Sequence, residues 1–291
     1  MEIIHTEDLC AYYGEKAVLH HIDLTIKEKE ILNIIGESGA GKSTLAHIMI
    51  GLHKVYGLEV KGNINVQKHV ALVPQNVGES LDPVFTIYKQ MREIPALRKL
   101  SKDEVKRKIE KSLIAVGLED TKRILKNYPH NLSGGMKQRI LIAMAIIMES
   151  KLIIADEPTS SLDITISAQI LRLLKKINKQ GVALTLITHD FNVVELMQGR
   201  VIVMHRGMIV EEGNAKEVID DPLHPYTAYL LNAVPKENMH YRKDHLQVKE
   251  IPHITKGCPY QNICEKKREK CSRGFPSLKV IDMRKARCFY V

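Results

Sequence analysis

Residues 36 to 44 read Gly36-Glu37-Ser38-Gly39-Ala40-Gly41-Lys42-Ser43-Thr44 and fit Gly-x-x-x-x-Gly-Lys-Ser, a phosphate-binding loop. The flanks narrow the fold further. Ile31 to Ile35 is short and mostly apolar, as a buried strand is, and Leu45 to Ile50 is a run of helix formers stopped at Gly51. Strand, glycine turn and helix in that order place backbone N–H groups and a helix start around a dense anion. Lys42 is the charge that reaches the β- and γ-phosphates, and the Ser43 hydroxyl is a candidate Mg²⁺ ligand.

A second set of residues supplies the hydrolytic chemistry. Leu152-Ile153-Ile154-Ala155 runs apolar into Asp156-Glu157. A buried strand ending in two acids, downstream of a phosphate loop, suits Asp156 to Mg²⁺ and Glu157 to orienting and deprotonating a water. Val70 to Val73 is another strand, left through Pro74 at Gln75, which can sense Mg²⁺ or water. Leu184 to Thr188 is a third, ending at His189, a candidate for the γ-phosphate. Leu132-Ser133-Gly134-Gly135-Met136 gives a second bare, N–H-rich helix start, which fits either an anion site or a simple capped helix.

The rest of the chain frames these motifs. Ile3 to Ile26 reads as short strands around a turn at Tyr13-Gly14-Glu15-Lys16, with Tyr12 or Tyr13 offering a face to a base. His20 and His21 read as exposed polar surface and Cys10 as an inert buried thiol. From residue 76 to about 131 the character turns helical. Ser101-x-x-Glu104 forms a capping box, and Val105, Ile109, Leu113 and Val116 share one face. Thr165 to Lys179 is amphipathic, and the stretches around Arg206-Gly207 read as a hairpin.

The 291 residues, 44% hydrophobic and 26% charged, suffice for one main domain with additions. No run has the length of a membrane span, and the N-terminus lacks a basic start with an apolar signal core, so the expected compartment is the cytoplasm. The net charge of +9 gathers late in the chain and reads as solvated surface, with membrane proximity as the second reading. Four of the five cysteines fall there, as Cys258-x5-Cys264-x6-Cys271-x16-Cys288. The spacing is not that of a zinc ribbon; an iron–sulfur cluster, zinc and free thiols all stay open.

Taken in order, the phosphate loop, Gln75, Leu-Ser-Gly-Gly-Met, Asp156-Glu157, Ser160-Ser161-Leu162-Asp163 and His189 closely resemble the ATP-binding cassette (ABC) proteins. Ser80-Leu81-Asp82-Pro83, Met136 and His224-Pro225-Tyr226-Thr227 before Ala233-Val234-Pro235 resemble the oligopeptide, dipeptide and nickel importer branch. Asp82 and Ser161 depart from the residues usual there, and the segment between Gly62 and Val70 is short. The resemblance implies an α/β, RecA-like P-loop NTPase core with an N-terminal antiparallel β subdomain. It also implies an inserted helical subdomain near residues 78–131, an ATPase domain over 1–235 and a small Cys-rich tail over 236–291.

Its residue roles follow from the same resemblance. Tyr13 would stack on adenine, and Gly36, Glu37, Ser38, Gly39, Ala40, Gly41, Lys42, Ser43 and Thr44 would hold the phosphates of ATP. Ser43, Gln75 and Asp156 would serve Mg²⁺, with Glu157 as base and His189 on the γ-phosphate. Ser133, Gly134 and Gly135 would cover the ATP of a partner subunit, and the four tail cysteines would hold a 4Fe-4S cluster, as in some members. Expected partners are a second, different ATPase subunit, two transmembrane permease subunits and an extracytoplasmic binding protein. That places the chain on the cytoplasmic face of the membrane, with no nucleic acid. The alternative is a soluble ABC ATPase acting on the ribosome or nucleic acid.

Overall fold

The computed structural model describes residues 1–67, 69–94, 97–233 and 257–291. The boundary expected between residues 235 and 236, and Val234-Pro235, lie outside the described residues. In chain order the strands are β1 (Glu2–Tyr13), β2 (Lys16–Lys27), β3 (Ile31–Ile35), β4 (Glu59–Val66), β5 (Val70–Val73), β6 (Leu152–Asp156) and β7 (Ala183–Thr188). Then come β8 (Arg200–His205), β9 (Met208–Asn214), β10 (Lys279–Ile281) and β11 (Arg284–Ala286). The helices are α1 (Lys42–Met49), α2 (Val77–Ser80), α3 (Ile87–Arg92), α4 (Lys102–Ala115), α5 (Thr121–Lys126) and α6 (Gly134–Ile147). They continue with α7 (Ile164–Lys179), α8 (Phe191–Met197), α9 (Ala215–Asp220), α10 (Pro225–Ala233) and α11 (Lys270–Arg273).

The main sheet runs β10-β11-β9-β8-β3-β7-β6-β5. Its central strands, from β8 through β3, β7 and β6 to β5, are parallel, and their apolar runs are buried, as they must be when helices cover both faces. A second, antiparallel sheet, β2-β1-β4, lies over α1. The fold is therefore that of a P-loop NTPase with an antiparallel β subdomain. The first two strands are not short: each is twelve residues long, and bulges let them bend around the core.

Three apolar clusters hold these layers. Ile3, Leu9, Leu19 and Ile26 of the antiparallel sheet pack with Ile34, Leu45 and Ile154. On the other face, Ile140, Ile153, Leu174 and Leu186 join Ile87, Ile109 and Leu113 of the helical stretch. Each such buried Leu or Ile contributes about 1.5–3 kcal/mol. The capping box at Ser101–Glu104 starts α4 as expected, and Gly117 follows it in a left-handed conformation. A third cluster gathers Ile35, Phe191, Val203 and Tyr226 with Tyr260, Cys258 and Cys271 of the tail.

Arg200 locks the two sheets together. Its guanidinium meets Glu30 at 2.6 Å and Glu212 at 2.9 Å, and donates to the Thr25 carbonyl at 2.5 Å. The tail extends the main sheet, because β11 pairs antiparallel with β9 and β10 pairs with β11.

Candidate nucleotide site

The loop from Gly36 to Gly41 leaves β3 and enters α1 in a confined space. A Cβ on Gly36 would lie 2.3 Å from the Met204 carbonyl oxygen, and one on Gly41 2.7 Å from Leu19 Cδ2. Gly41 is also left-handed at φ +95°. The first turn of α1 has neither a side-chain cap nor an acidic residue, so its N–H groups face the cleft with no competing carboxylate. Lys42 arches back over the loop, its Nζ donating to the carbonyls of Gly36 at 2.7 Å and Glu37 at 2.9 Å. Burial lowers its pKa, against the pull of Glu157, Asp156 and Glu37.

Asp156 ends β6 almost fully buried. Burial raises its pKa and Glu157 adds to the rise, while a hydrogen bond from Ser43 and the charges of Lys42 and His47 oppose it. Its Oδ1 is buried without a hydrogen-bond partner. An orphaned carboxylate oxygen beside a serine hydroxyl is the donor set a hard divalent cation takes, so these residues fit Mg²⁺.

Glu157 follows in a left-handed conformation, φ +47°, with its N–H on the Ile187 carbonyl at 2.9 Å. Its carboxylate is 11% exposed and lies 2.7 Å from Nδ1 of His189, which is 66% exposed at the end of β7. Strand ends of β5, β6 and β7 thus deliver Gln75, Asp156, Glu157 and His189 to one side of the loop. The cleft they form, of about 540 Å³, is lined by Glu37, Ser38, Gly39, Gly41, Lys42, Ser43, Thr44, Gln75, Asp156, Glu157 and His189.

Five other candidates lie elsewhere. Ala40 is buried behind the loop, and Tyr13 stands half-exposed at the end of β1, outside the lining of this cleft. Ser133 caps α6, accepting from the Met136 N–H at 3.3 Å, and with Gly134 faces solvent. A Cβ on Gly135 would lie 2.6 Å from Ile166 Cγ2, so glycine there lets α6 begin hard against α7. None of these three lines the cleft.

One residue of the site was not read from the sequence. The Tyr226 hydroxyl accepts the Glu37 N–H at 3.1 Å and donates to Glu37 Oε2 at 3.3 Å. Its ring is fully buried, 4.1 Å from His205 and 5.4 Å from Tyr260 of the tail. The tail therefore reaches the phosphate loop through one side chain.

The four tail cysteines share a neighbourhood. Cys258, Cys271 and Cys288 are buried and Cys264 is half-buried. Burial pushes the Cys258 thiol up to about 11 and raises Cys264, and the neighbouring thiolates raise both further. The N–H of Arg268 points at Cys271 Sγ at 3.4 Å and that of Tyr290 at Cys288 Sγ at 3.2 Å. No three of the four sulfurs lie within 4.8 Å of one another. Tetrahedral zinc, with Zn–S near ~2.3 Å, needs sulfurs about 3.8 Å apart. The sulfurs are not set at that distance, and the N–H groups aimed at Cys271 and Cys288 are donors of the kind that metal-bound thiolates accept.

Comparisons with known proteins agree with this geometry. A family profile described as "ABC transporter" matches residues 19–160, and one described as "Oligopeptide/dipeptide transporter, C-terminal region" matches residues 210–271. The oligopeptide transport ATP-binding protein OppD of Escherichia coli (strain K12) is 34% identical, over 95% of this chain and 88% of that protein. The dipeptide transport ATP-binding protein DppD of the same strain is 33% identical, over 100% of this chain and 97% of that protein. Among solved structures, cbiO1 from Clostridium perfringens, part of the cbiONQ transporter complex, superposes with a TM-score of 0.67. It shares 29% identity and covers 76% of this chain and 91% of its own. A dimeric ATP-binding cassette in a post-hydrolysis state, bound to ADP and Pi, gives a TM-score of 0.62 at 28% identity, covering 73% and 98%.

Proposed function

This chain belongs to the ABC transporter family of ATP-binding proteins, and from that premise we propose that it is the ATP-hydrolysing subunit of a peptide importer. The observation that carries the ATPase half is the single cleft in which Lys42, the Ser43–Asp156 pair and the Glu157–His189 pair meet. The peptide half rests on the match of residues 210–271 and on relatives named for oligopeptide and dipeptide transport. Those names also favour transport over action on the ribosome or nucleic acid.

In this reading the bare N–H groups of the loop and the Lys42 ammonium bind the phosphates of ATP. Ser43 and Asp156, with Gln75 at the cleft wall, hold Mg²⁺, which when bound neutralises phosphate charge. Glu157 accepts the proton of the attacking water as the water oxygen bonds the terminal phosphorus and the bond to the β–γ bridging oxygen breaks, releasing ADP and phosphate. His189 keeps Nδ1 toward Glu157, which orients that carboxylate and turns Nε2 to the γ-phosphate. Tyr13 stacks on the adenine ring. Ser133, Gly134 and Gly135 act across a dimer, on the ATP held by a second ATPase subunit.

The stretch near 78–131 is the surface that passes closure to the permease subunits. No helix of the described residues is long and apolar enough to cross a membrane, so attachment runs through those subunits, at the cytoplasmic face. Cys258, Cys264, Cys271 and Cys288 hold an iron–sulfur cluster, which supplies a rigid, redox-active crosslink when bound. Nickel and metal chelates are the competing cargo.

The test is reconstitution. The chain, its partner ATPase and the neighbouring permease genes are expressed together, and ATPase activity is followed in vesicles with binding protein loaded by peptide or by nickel chelate. Stimulation by the peptide-loaded protein is expected. Stimulation by the chelate alone reassigns the cargo, and no association with any permease ends the importer reading.

A further inference from the structure

Two β-bulges face each other in the antiparallel sheet. Between the pairs Thr6↔Leu24 and Leu9↔Ile22, β1 carries two residues, Glu7 and Asp8, against Asp23 alone. Between Leu9↔Ile22 and Ala11↔Leu19, β2 carries His20 and His21 against Cys10 alone. The first bulge is registered on the other side as well, because β4 offers only Gly62 across from Asp8 and Leu9. A Cβ on Gly62 would lie 2.2 Å from the Asp8 carbonyl oxygen, so this approach is built for glycine. Asp8 and His21 are both left-handed, φ +49° and +48°, a conformation that costs a non-glycine residue energy. Bulges re-aim side chains, and here they aim three at one point.

His21 Nδ1 lies 2.5 Å from Asp8 Oδ1 and 4.0 Å from Cys10 Sγ, and the three donor atoms all fall within 4.8 Å of one another. Among the described residues no other group of three or more His, Cys, Asp or Glu donors converges so closely. The arrangement is not a proton relay. A relay enters the imidazole at one nitrogen and leaves at the other, whereas here the carboxylate and the sulfur address the same nitrogen. Cys10 is 8% exposed and His21 and Asp8 are open to solvent, so one wall of the point is protein and the other is water.

We propose that Asp8, Cys10 and His21 form a three-ligand site for a divalent cation of intermediate softness, zinc being the reference ion. One thiolate, one imidazole nitrogen and one carboxylate oxygen are the donor types zinc accepts, and the exposed side leaves its fourth position to water. Tetrahedral coordination asks the donors to stand roughly 3.3–3.8 Å apart, from metal–ligand distances near 2.0–2.3 Å. The His21–Asp8 pair opens, and Cys10 closes on His21, by less than about 1 Å each to reach that. On binding, the Cys10 proton leaves to solvent and the imidazole proton moves from Nδ1 to Nε2, so affinity falls as pH falls. The ion pins both bulges, and with them the register of the strand that ends at Tyr13.

The experiment is a zinc titration of the full-length protein against a competing chelator, for the wild type and for Asp8→Ala, Cys10→Ser and His21→Ala. The tail cysteines are intact in all four, so any zinc they take is common to the set and the difference is read. The wild type is expected to hold one more equivalent than each variant, with affinity down about tenfold or more on loss of a ligand. Cobalt loading should give a thiolate charge-transfer band that Cys10→Ser removes. Asp8 and His21 are exposed, so their variants keep the fold even if Cys10→Ser does not, and nucleotide affinity serves as the control. Equal stoichiometry in all four proteins, or retention of the extra equivalent by any one folded variant, overturns the site.

Discussion

The Tyr226 hydroxyl accepts a hydrogen bond from the Glu37 backbone N–H at 3.1 Å, across 189 residues of sequence. The contact fixes the second residue of the phosphate loop from the helix that precedes the tail. Tyr226→Phe keeps the ring and removes the bonds. At about 1 kcal/mol net per hydrogen bond, nucleotide affinity should weaken roughly fivefold. The melting temperature without nucleotide should fall by only about 2–4 °C, because the same bonds are already made there. A nucleotide titration beside a thermal melt checks this, and unchanged affinity would show that the contact only packs.

Glu157→Gln keeps the size and the approach to His189 but removes the proton acceptor. The variant should bind ATP normally and hydrolyse it about 10²–10⁴-fold more slowly. Single-turnover hydrolysis is the measurement, and near-normal turnover removes Glu157 from the role of base.

Ser133→Arg puts a bulky cation on an exposed helix start that does not line this chain's own cleft. ATP binding to the isolated chain should persist, while ATPase activity of the assembled pair falls by about tenfold or more, as loss of an electrostatic contact to a phosphoryl group does. Loss of binding in the isolated chain would show that Ser133 serves the chain's own nucleotide.

His205 and His224 lie under the tail, and burial, first among the causes, holds their pKa values down to about 3 and about 4. An unfolded His titrates near ~6.5. Between that value and 4 the unfolded chain therefore binds protons the folded chain refuses, and stability falls with falling pH. At pH ~5 the loss is roughly 2 kcal/mol per histidine. Buried Glu211, raised mainly by burial, works the other way: it binds a proton more readily when folded, so it offsets part of the loss in acid. Urea midpoints at pH ~7.5 and ~5 should differ accordingly, and a flat profile would mean that neither imidazole is buried in solution.

The nucleotide cleft was legible because its residues sit in short, contiguous motifs at strand ends, where sequence order and spatial order coincide. Asp156 and Glu157 follow an apolar run, and His189 follows another, so each could be placed from its own strand. Tyr226 could not, since its partner lies on a strand-loop junction far away in the chain. The bulges were written in the sequence but not read. Leu19 and Ile22 are three apart where a regular strand needs two or four, and that slip is the insertion of His20 and His21. Nor did β10 and β11 stand out, because three-residue strands carry too little periodicity to register.

The pairing of β11 with β9 has a consequence for the chain's solubility. Strand β9 is buried along most of its length, and Lys285 reaches Glu212 on it at 3.1 Å. Without residues 284–286 its outer rim would offer open amide and carbonyl groups to any passing strand, the usual start of edge-to-edge aggregation. The final thirty-odd residues thus shield the ATPase from its own kind, and the border they leave to water is a strand of only three residues.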